Sequence, residues 1–231
     1  MSDTLRIRRN VQSHRGEISF LGGSAYERSK RLGATARRGS LVIWSVHPVT
    51  SVRFDDFLDV VNPNRRANHC FCVPHRLRTA DVRELGDGDR EQAMRALCRR
   101  DDPPGIVAYH DDRPVGWCNV GARADMPTLV HSQLIRPIDD VPVWSIVCLV
   151  VRGGHRKQGV TRHLIDGAVE YAASRNAPAV EAYPVDPGGR MDTTMAFVGT
   201  RSMFERAGFE VVGQTDAMAS RMPRLIMRRE L

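Results

Sequence analysis

Nine consecutive residues without a charge, 143–151 (VWSIVCLVV), run straight into RGGHRKQG and then into VTRHLIDGAVEY. The first piece reads as a strand buried on both faces, rich in Val and Ile. The last piece carries Val160, Leu164, Ile165, Ala168, Val169 and Ala172 at a spacing that lays one apolar stripe along a helix. The loop between them holds Gly153, Gly154 and Gly159 together with Arg152, Arg156 and Lys157. A helix start leaves backbone N–H groups unpaired and carries partial positive charge. Strand, Gly- and base-rich loop and helix start therefore make a cradle for an anion, typically a pyrophosphate. The plain alternative is a surface strand-to-helix turn with solvated arginines.

Bulk properties narrow the class. A chain of 231 residues with 42% hydrophobic and 26% charged residues is an ordinary globular protein. It has no apolar run of about 18 residues, so no transmembrane helix is expected. Residues 1–40 contain charges and no apolar core of a secretory signal. Five scattered cysteines, an odd number, suit a reduced, cytoplasmic protein. The net charge of +7 is unevenly placed: residues 1–40 hold nine Lys/Arg against three Asp/Glu, which leaves +1 for everything after them. Residues 1–40 thus form a basic extension with few aliphatics, expected to be disordered. It reads as a solvated leader, a start placed too far upstream, or an arm for RNA or a membrane surface. Residues 41–231 form the domain. With its body near neutral, nucleic acid is not the expected partner.

Along the domain, the patterns predict a strand over 40–46, a helix over 52–61 and a long helix over 79–99. A hairpin of 106–110 and 114–121 turns at Asp111-Asp112-Arg113. Residues 122–132 make a short helix or loop, and 134–141 a connection. After the central strand and its helix come a parallel strand over 177–184, a polar loop over 186–194, a short helix over 200–207, and strands over 209–212 and 224–227. The cluster His69, Cys70, Cys72 and His75 lacks the spacing of the common zinc motifs, so no metal is expected.

Arg156-Lys157-Gln158-Gly159-Val160-Thr161 resembles the Q/R-x-x-G-x-G/A signature of the GCN5-related N-acetyltransferases (GNAT), with Thr161 where Gly or Ala is usual. The late run Ser202-Met203-Phe204-Glu205-Arg206-Ala207-Gly208-Phe209 resembles the family's closing helix and "GF" strand. Cys70-Phe71-Cys72, Pro142-Val143-Trp144-Ser145 and Glu181-Ala182-Tyr183-Pro184-Val185-Asp186 are similar to segments of a bacterial subgroup with no assigned substrate. The resemblance implies an α/β (α+β) fold: a twisted, mostly antiparallel mixed sheet with a central parallel strand pair, flanked by helices. It implies acetyl-CoA as co-substrate, an amine of a small molecule or peptide as acceptor, no membrane partner, and leaves a homodimer open. By the same resemblance Leu149, Val150 and Val151 meet the pantetheine and acetyl carbonyl, and Arg156, Lys157, Gln158, Gly159, Val160 and Thr161 hold the pyrophosphate. Phe204 stands near the CoA sulfur, where the family often has a Tyr.

With Phe204 unable to donate a proton, Ser202, Tyr183 and Cys148 are the nearby replacements, and Glu181 is the candidate base. Strand alternation puts Glu181 and Tyr183 on one side. Cys148 as an acyl carrier is disfavoured by its apolar neighbours. Two other functions stay open: a CoA-binding module that has lost catalysis, and a nucleic-acid-associated protein acting through its basic extension. Residues 1–40 lack the apolar period that would offset the entropy of ordering them. Their deletion is expected to leave the melting temperature nearly unchanged in a thermal-unfolding scan, and a large drop would make them part of the core.

Overall fold

The uncharged run becomes β4 (Trp144–Val151), the middle strand of a seven-stranded sheet. The computed structural model describes residues 43–187, 197–219 and 221–231. The remaining strands are β1 (Trp44–Pro48), β2 (Gly105–His110), β3 (Arg113–Ala122), β5 (Ala179–Ala182), β6 (Glu210–Ala219) and β7 (Met222–Glu230). Their order across the sheet is β1-β2-β3-β4-β5-β7-β6. Every neighbouring pair is antiparallel except β4 and β5. A parallel neighbour needs a crossover, and the helix α5 (Val160–Ser174) supplies it.

Helices cover both faces. On one, α5 buries Val160, Leu164, Ile165, Ala168, Val169 and Ala172 against Ile106, Ala108, Val115, Cys118 and Ile146. On the other, α1 (Phe54–Val61) and α3 (Asp89–Leu97) cover Val107, Tyr109 and Trp117. The α5 contact is unusually close. A Cβ on Gly116 would stand 2.6 Å from Val160 Cγ1 and 2.9 Å from Leu164 Cδ1, and one on Gly167 would stand 2.6 Å from Val46 Cγ1. Two glycines, one on the sheet and one on the helix, thus fix how deeply α5 sits.

β4 is irregular where it matters. Cys148 and Ile146 face consecutive residues of β3, Asn119 and Val120, so Val147 is an extra residue, a bulge. As a result Ile146 and Leu149 pack toward α5, while the adjacent Val147 and Cys148 both pack on the opposite face. Arg76 grips β3 at this point. Its Nε donates to Asn119 Oδ1 at 2.9 Å and its Nη2 to Val120 O at 2.9 Å and Pro104 O at 2.6 Å. Burial lowers the pKa of Arg76 to about 10, which still leaves it charged at neutral pH.

Several expected boundaries moved. The long helix over 79–99 divides into α2 (Thr79–Glu84) and α3, because Gly86-Asp87-Gly88 breaks the period and Gly88 takes φ 86°. Asp89 accepts the Gly86 N–H at 2.9 Å across that break. The first strand lies later than expected, and residues 40–42 fall outside the described ones. The helix over 52–61 opens as a 3-10 turn (Ser51–Arg53) with Val52 in solvent. α4 (Pro127–Val130) is the short helix of the 122–132 region. The hairpin turn is tighter than anticipated: only Asp111 and Asp112 leave the ladder, both with positive φ. The last helix is α6 (Arg201–Glu205), and the two closing strands are far longer than their apolar cores. Most of the polar loop at 186–194 and all of residues 1–40 lie outside the described residues. Among the described residues no helix is long and apolar enough to cross a membrane.

Because a side chain at Gly116 or Gly167 must push α5 away from the sheet, Gly116→Ala and Gly167→Ala are each expected to cost roughly 1–3 kcal/mol. Denaturant titration measures this, and unchanged midpoints would show that α5 can shift freely.

Candidate active site

The parallel ladder is short. Trp144, Ser145 and Ile146 pair with Val180, Glu181 and Ala182, and there the pairing ends. Past β5 the chain stays with β7, through the Leu225 N–H on Pro184 O at 2.8 Å and a Val185–Arg224 bridge, and Val185 also bridges Thr200. The second half of β4 therefore faces an opening in the sheet. A cleft of about 560 Å3 fills that opening. Leu149, Val150, Val151, Val160, Ile165, Phe197 and Met203 give it apolar walls, and Arg156, Lys157, Arg162 and Arg206 stand at it with Gly159 and Thr161. Among the described residues none of the lining ones is acidic.

The cradle forms at the N-terminus of α5. Gly159 caps the helix with φ 86°, and a Cβ there would meet nothing within 4 Å, so the backbone is open to a ligand. The backbone N–H groups of residues 156–161 donate to no described group. Lys157 takes φ 61° and Gly154 φ 84°, which curls the loop so that these donors converge. Gln158 braces the loop from within, its Nε2 donating to Gly154 O at 3.1 Å. Arg162 is held by Asp166 Oδ2 at 2.5 Å and by the carbonyl of Arg206. His155 also lines the cleft, and burial with Arg113 and Arg152 nearby lowers its pKa, which favours the neutral imidazole. Free N–H groups, a helix dipole and four basic side chains beside an apolar slot suit a ligand with a phosphate head and a largely uncharged arm. CoA has that form.

Eight of the expected cofactor residues stand together here: Leu149, Val150, Val151, Arg156, Lys157, Gly159, Val160 and Thr161. Gln158 and Phe204 do not line the cleft. Phe204 is fully buried, edge-on to Phe209 and beneath Gly199, whose Cβ would stand 2.8 Å from its ring. Its neighbours Met203 and Arg206 reach the cleft instead. These two, with His155, Arg162, Ile165 and Phe197, were not singled out from sequence. Helical spacing was the available signal, since Ile165 lies one turn beyond Thr161 and Arg206 three residues beyond Met203.

Glu181 and Tyr183 share the face away from α5, as alternation required, but neither is free. Both are almost fully buried, at 2% and 1% exposure. The Tyr183 hydroxyl donates to Glu181 Oε2 at 2.9 Å, lies 3.0 Å from Ser145 Oγ, and accepts from Arg123 Nη1 at 2.5 Å. Glu181 Oε1 accepts from Arg228 Nη2 at 2.7 Å, and Arg228 also clasps both oxygens of Asp139 at 2.7 and 2.8 Å. Desolvation, with Glu181 beside it, pushes the Tyr183 pKa well above that of an ordinary phenol. Hydrogen bonds from Arg228 hold the Asp139 carboxyl below the usual carboxylate range. Arg224 closes this side, its Nε donating to Tyr183 O at 2.7 Å, with a pKa lowered to about 10 by burial. Ser202 is exposed on α6, its Oγ 3.2 Å from Thr200 Oγ1. Cys148 lies beside the cleft with Cys72 Sγ 3.4 Å from its own sulfur. Among the described residues no group of three or more His, Cys, Asp or Glu side chains is placed to hold a metal ion.

Comparison with known proteins agrees with this geometry. The family model described as "Acetyltransferase (GNAT) family" matches residues 74–209. No curated protein matches. Among solved structures, a GCN5-related N-acetyltransferase from Kribbella flavida is 18% identical with a TM-score of 0.43, over 75% of this chain and 34% of that one, so this chain spans about a third of that protein's length. A ribosomal-protein-alanine N-acetyltransferase from Brucella melitensis is 17% identical with a TM-score of 0.47, over 81% of this chain and 99% of that one. A Drosophila melanogaster polyamine N-acetyltransferase is 10% identical with a TM-score of 0.48, over 82% of this chain and 100% of that one. With the family match spanning more than half of the 231 residues, and with cleft, cradle and parallel pair in place, the chain belongs to the GNAT acetyltransferase family and is an acyltransferase.

Proposed function

We propose that the protein transfers the acetyl group of acetyl-CoA directly to an amine of a small molecule or peptide. The observation that carries this is the opening beside Val147 to Val151, where a strand edge with no partner strand among the described residues leads straight to a basic helix N-terminus. Acetyl-CoA supplies a thioester that an amine can attack and a thiol that can leave. The N–H groups of residues 156–161, with Arg156 and Lys157, bind the pyrophosphate. Leu149, Val150 and Val151 present backbone to the pantetheine arm, and a strand N–H there stabilises the carbonyl oxygen as charge develops on it. Val160, Ile165 and Met203 exclude water from the slot.

The acceptor enters on the face away from α5, where Tyr183 is the first residue beyond the ladder. An amine must be neutral to attack, so its proton needs a path. The Tyr183 hydroxyl stays protonated and is wired to Glu181 and Ser145, which makes it a fixed route on that face. Glu181 is clasped by Arg228, and its remaining oxygen meets Tyr183, so it acts through that hydroxyl. Ser202, bonded to Thr200 outside the cleft lining, receives no proton in this scheme. A second reading, a CoA-binding module without catalysis, is favoured by the buried Phe204, which has no hydroxyl to protonate the leaving thiolate.

Calorimetry with acetyl-CoA tests the cradle. Arg156→Ala is expected to cost roughly 1–3 kcal/mol of binding, and Gly159→Leu to weaken binding further by straining the positive φ and filling the open space. Unchanged affinity in both removes the assignment.

A panel of amines assayed for CoA release tests transfer. On an accepted amine, Tyr183→Phe is expected to lower kcat about 10²–10⁴-fold with acetyl-CoA affinity intact, and Glu181→Gln to flatten the rise of rate with pH. Full kcat and an unaltered pH profile in both variants would make the pair purely structural. Tight acetyl-CoA binding with no acetylated amine would establish the second reading.

A further inference from the structure

Three cysteines outside the proposed chemistry lie between the surface and β4. Cys70 is exposed, Cys72 is 5% exposed and Cys148 is 6% exposed. Cys72 Sγ lies 3.4 Å from Cys148 Sγ, although 76 residues separate them. The turn that brings Cys70 and Cys72 together is strained. Phe71 and Cys72 take φ 50° and 57°, a left-handed conformation that costs non-glycine residues about 1–2 kcal/mol each. Val73 N–H closes the turn on Cys70 O at 3.1 Å. Three things hold it in that shape: Phe71 is buried in the core, Asn119 Nδ2 donates to Cys72 O at 3.2 Å, and Trp117 Nε1 donates to Cys72 Sγ at 3.4 Å.

We propose that Cys70, Cys72 and Cys148 form an oxidation site in which Cys70 reacts with a hydroperoxide and the oxidation passes inward to a Cys72–Cys148 disulfide. Cys70 suits the first step. Hydrogen bonds from the Cys72 thiol and the His69 imidazole stabilise its thiolate and hold its pKa well below that of an ordinary thiol. Thiolates attack peroxides and buried thiols do not. Cys72 is pushed the other way by its hydrogen bonds to Cys148 and Cys70 and by burial, and Cys118 by burial.

The steps balance. The Cys70 thiolate attacks the peroxide O–O bond and takes up the terminal oxygen. With one proton this gives sulfenic acid and an alcohol, or water from hydrogen peroxide. The Cys72 sulfur displaces the hydroxyl, which leaves as water with the Cys72 proton, and a Cys70–Cys72 disulfide forms. Cys148 then attacks Cys72 and expels Cys70, whose stabilised thiolate makes it a better leaving group than Cys72. The net reaction oxidises two thiols to one disulfide and reduces one peroxide. The final bond joins the 70–75 segment to the strand beside the cleft.

The test is a time course of the full-length protein with hydrogen peroxide, quenched by an alkylating agent and read by peptide mass spectrometry. The expected product is a Cys72–Cys148 disulfide, with Cys98 and Cys118 still free as internal controls. Dimedone is expected to trap sulfenic acid on Cys70 in the Cys72→Ser variant. Cys70→Ser, at an exposed position, is expected to slow disulfide formation roughly tenfold or more. Equal rates in wild type and Cys70→Ser would overturn the relay. So would sulfinic acid on Cys70 with no disulfide in the wild type. Neither readout depends on acetyl transfer.

Discussion

Everything distinctive about this protein depends on how soon β4 and β5 part company. Three residue pairs join them, and then the two strands diverge. A parallel sheet normally continues, because unpaired strand edges carry unsatisfied N–H and C=O groups. Here the bulge at Val147 rotates β4 just where the ladder stops, and Arg76 holds the matching point of β3. The open edge of β4 is then available to a ligand. α5 starts at the far end of the same strand and adds its free N–H groups to the same opening. One interruption in one ladder thus creates both the apolar slot and the phosphate cradle.

On the other face of the sheet, charges are buried in a connected set. Arg228 joins buried Glu181 to Asp139 at the surface, and Arg123 joins Tyr183 to Glu181, which lies 3.8 Å away. Burying isolated charges would cost several kcal/mol each, and only dense pairing offsets this. The pairing also ties β5, β7, β3 and the loop carrying Asp139 to one another. The place where β5 turns away is therefore rigid, and an acceptor would meet a fixed wall.

The sequence made some of this plain and hid the rest for physical reasons. β4, the loop and α5 were readable because an uncharged run and a 3.6-residue period are strong local signals. The cradle residues followed from glycines and bases at fixed spacing. The division at Gly86-Asp87-Gly88 was hidden because charged residues around it fit a solvated helix face. β6 and β7 read as short because their outer halves are polar and β7 carries Pro223. The partners of Glu181 and Tyr183 could not be read at all. Arg123 and Arg228 lie 60 and 47 residues from the groups they bind, and only the folded sheet makes them neighbours. Phe204 showed its type but not its direction: a packed aromatic and a cleft aromatic look alike in sequence.

The short ladder also has a mechanical meaning. β1 to β4 form one half-sheet stapled by α5, and β5, β7 and β6 form another. Three rungs and the buried arginine cluster are the seam between them. Across a seam of that width the halves are coupled mainly through side chains rather than through a backbone ladder. Amides of β2 and β3, paired on both sides, would then exchange with solvent far more slowly than those on the open edge of β4. Filling the cleft would add a bound ligand to that seam.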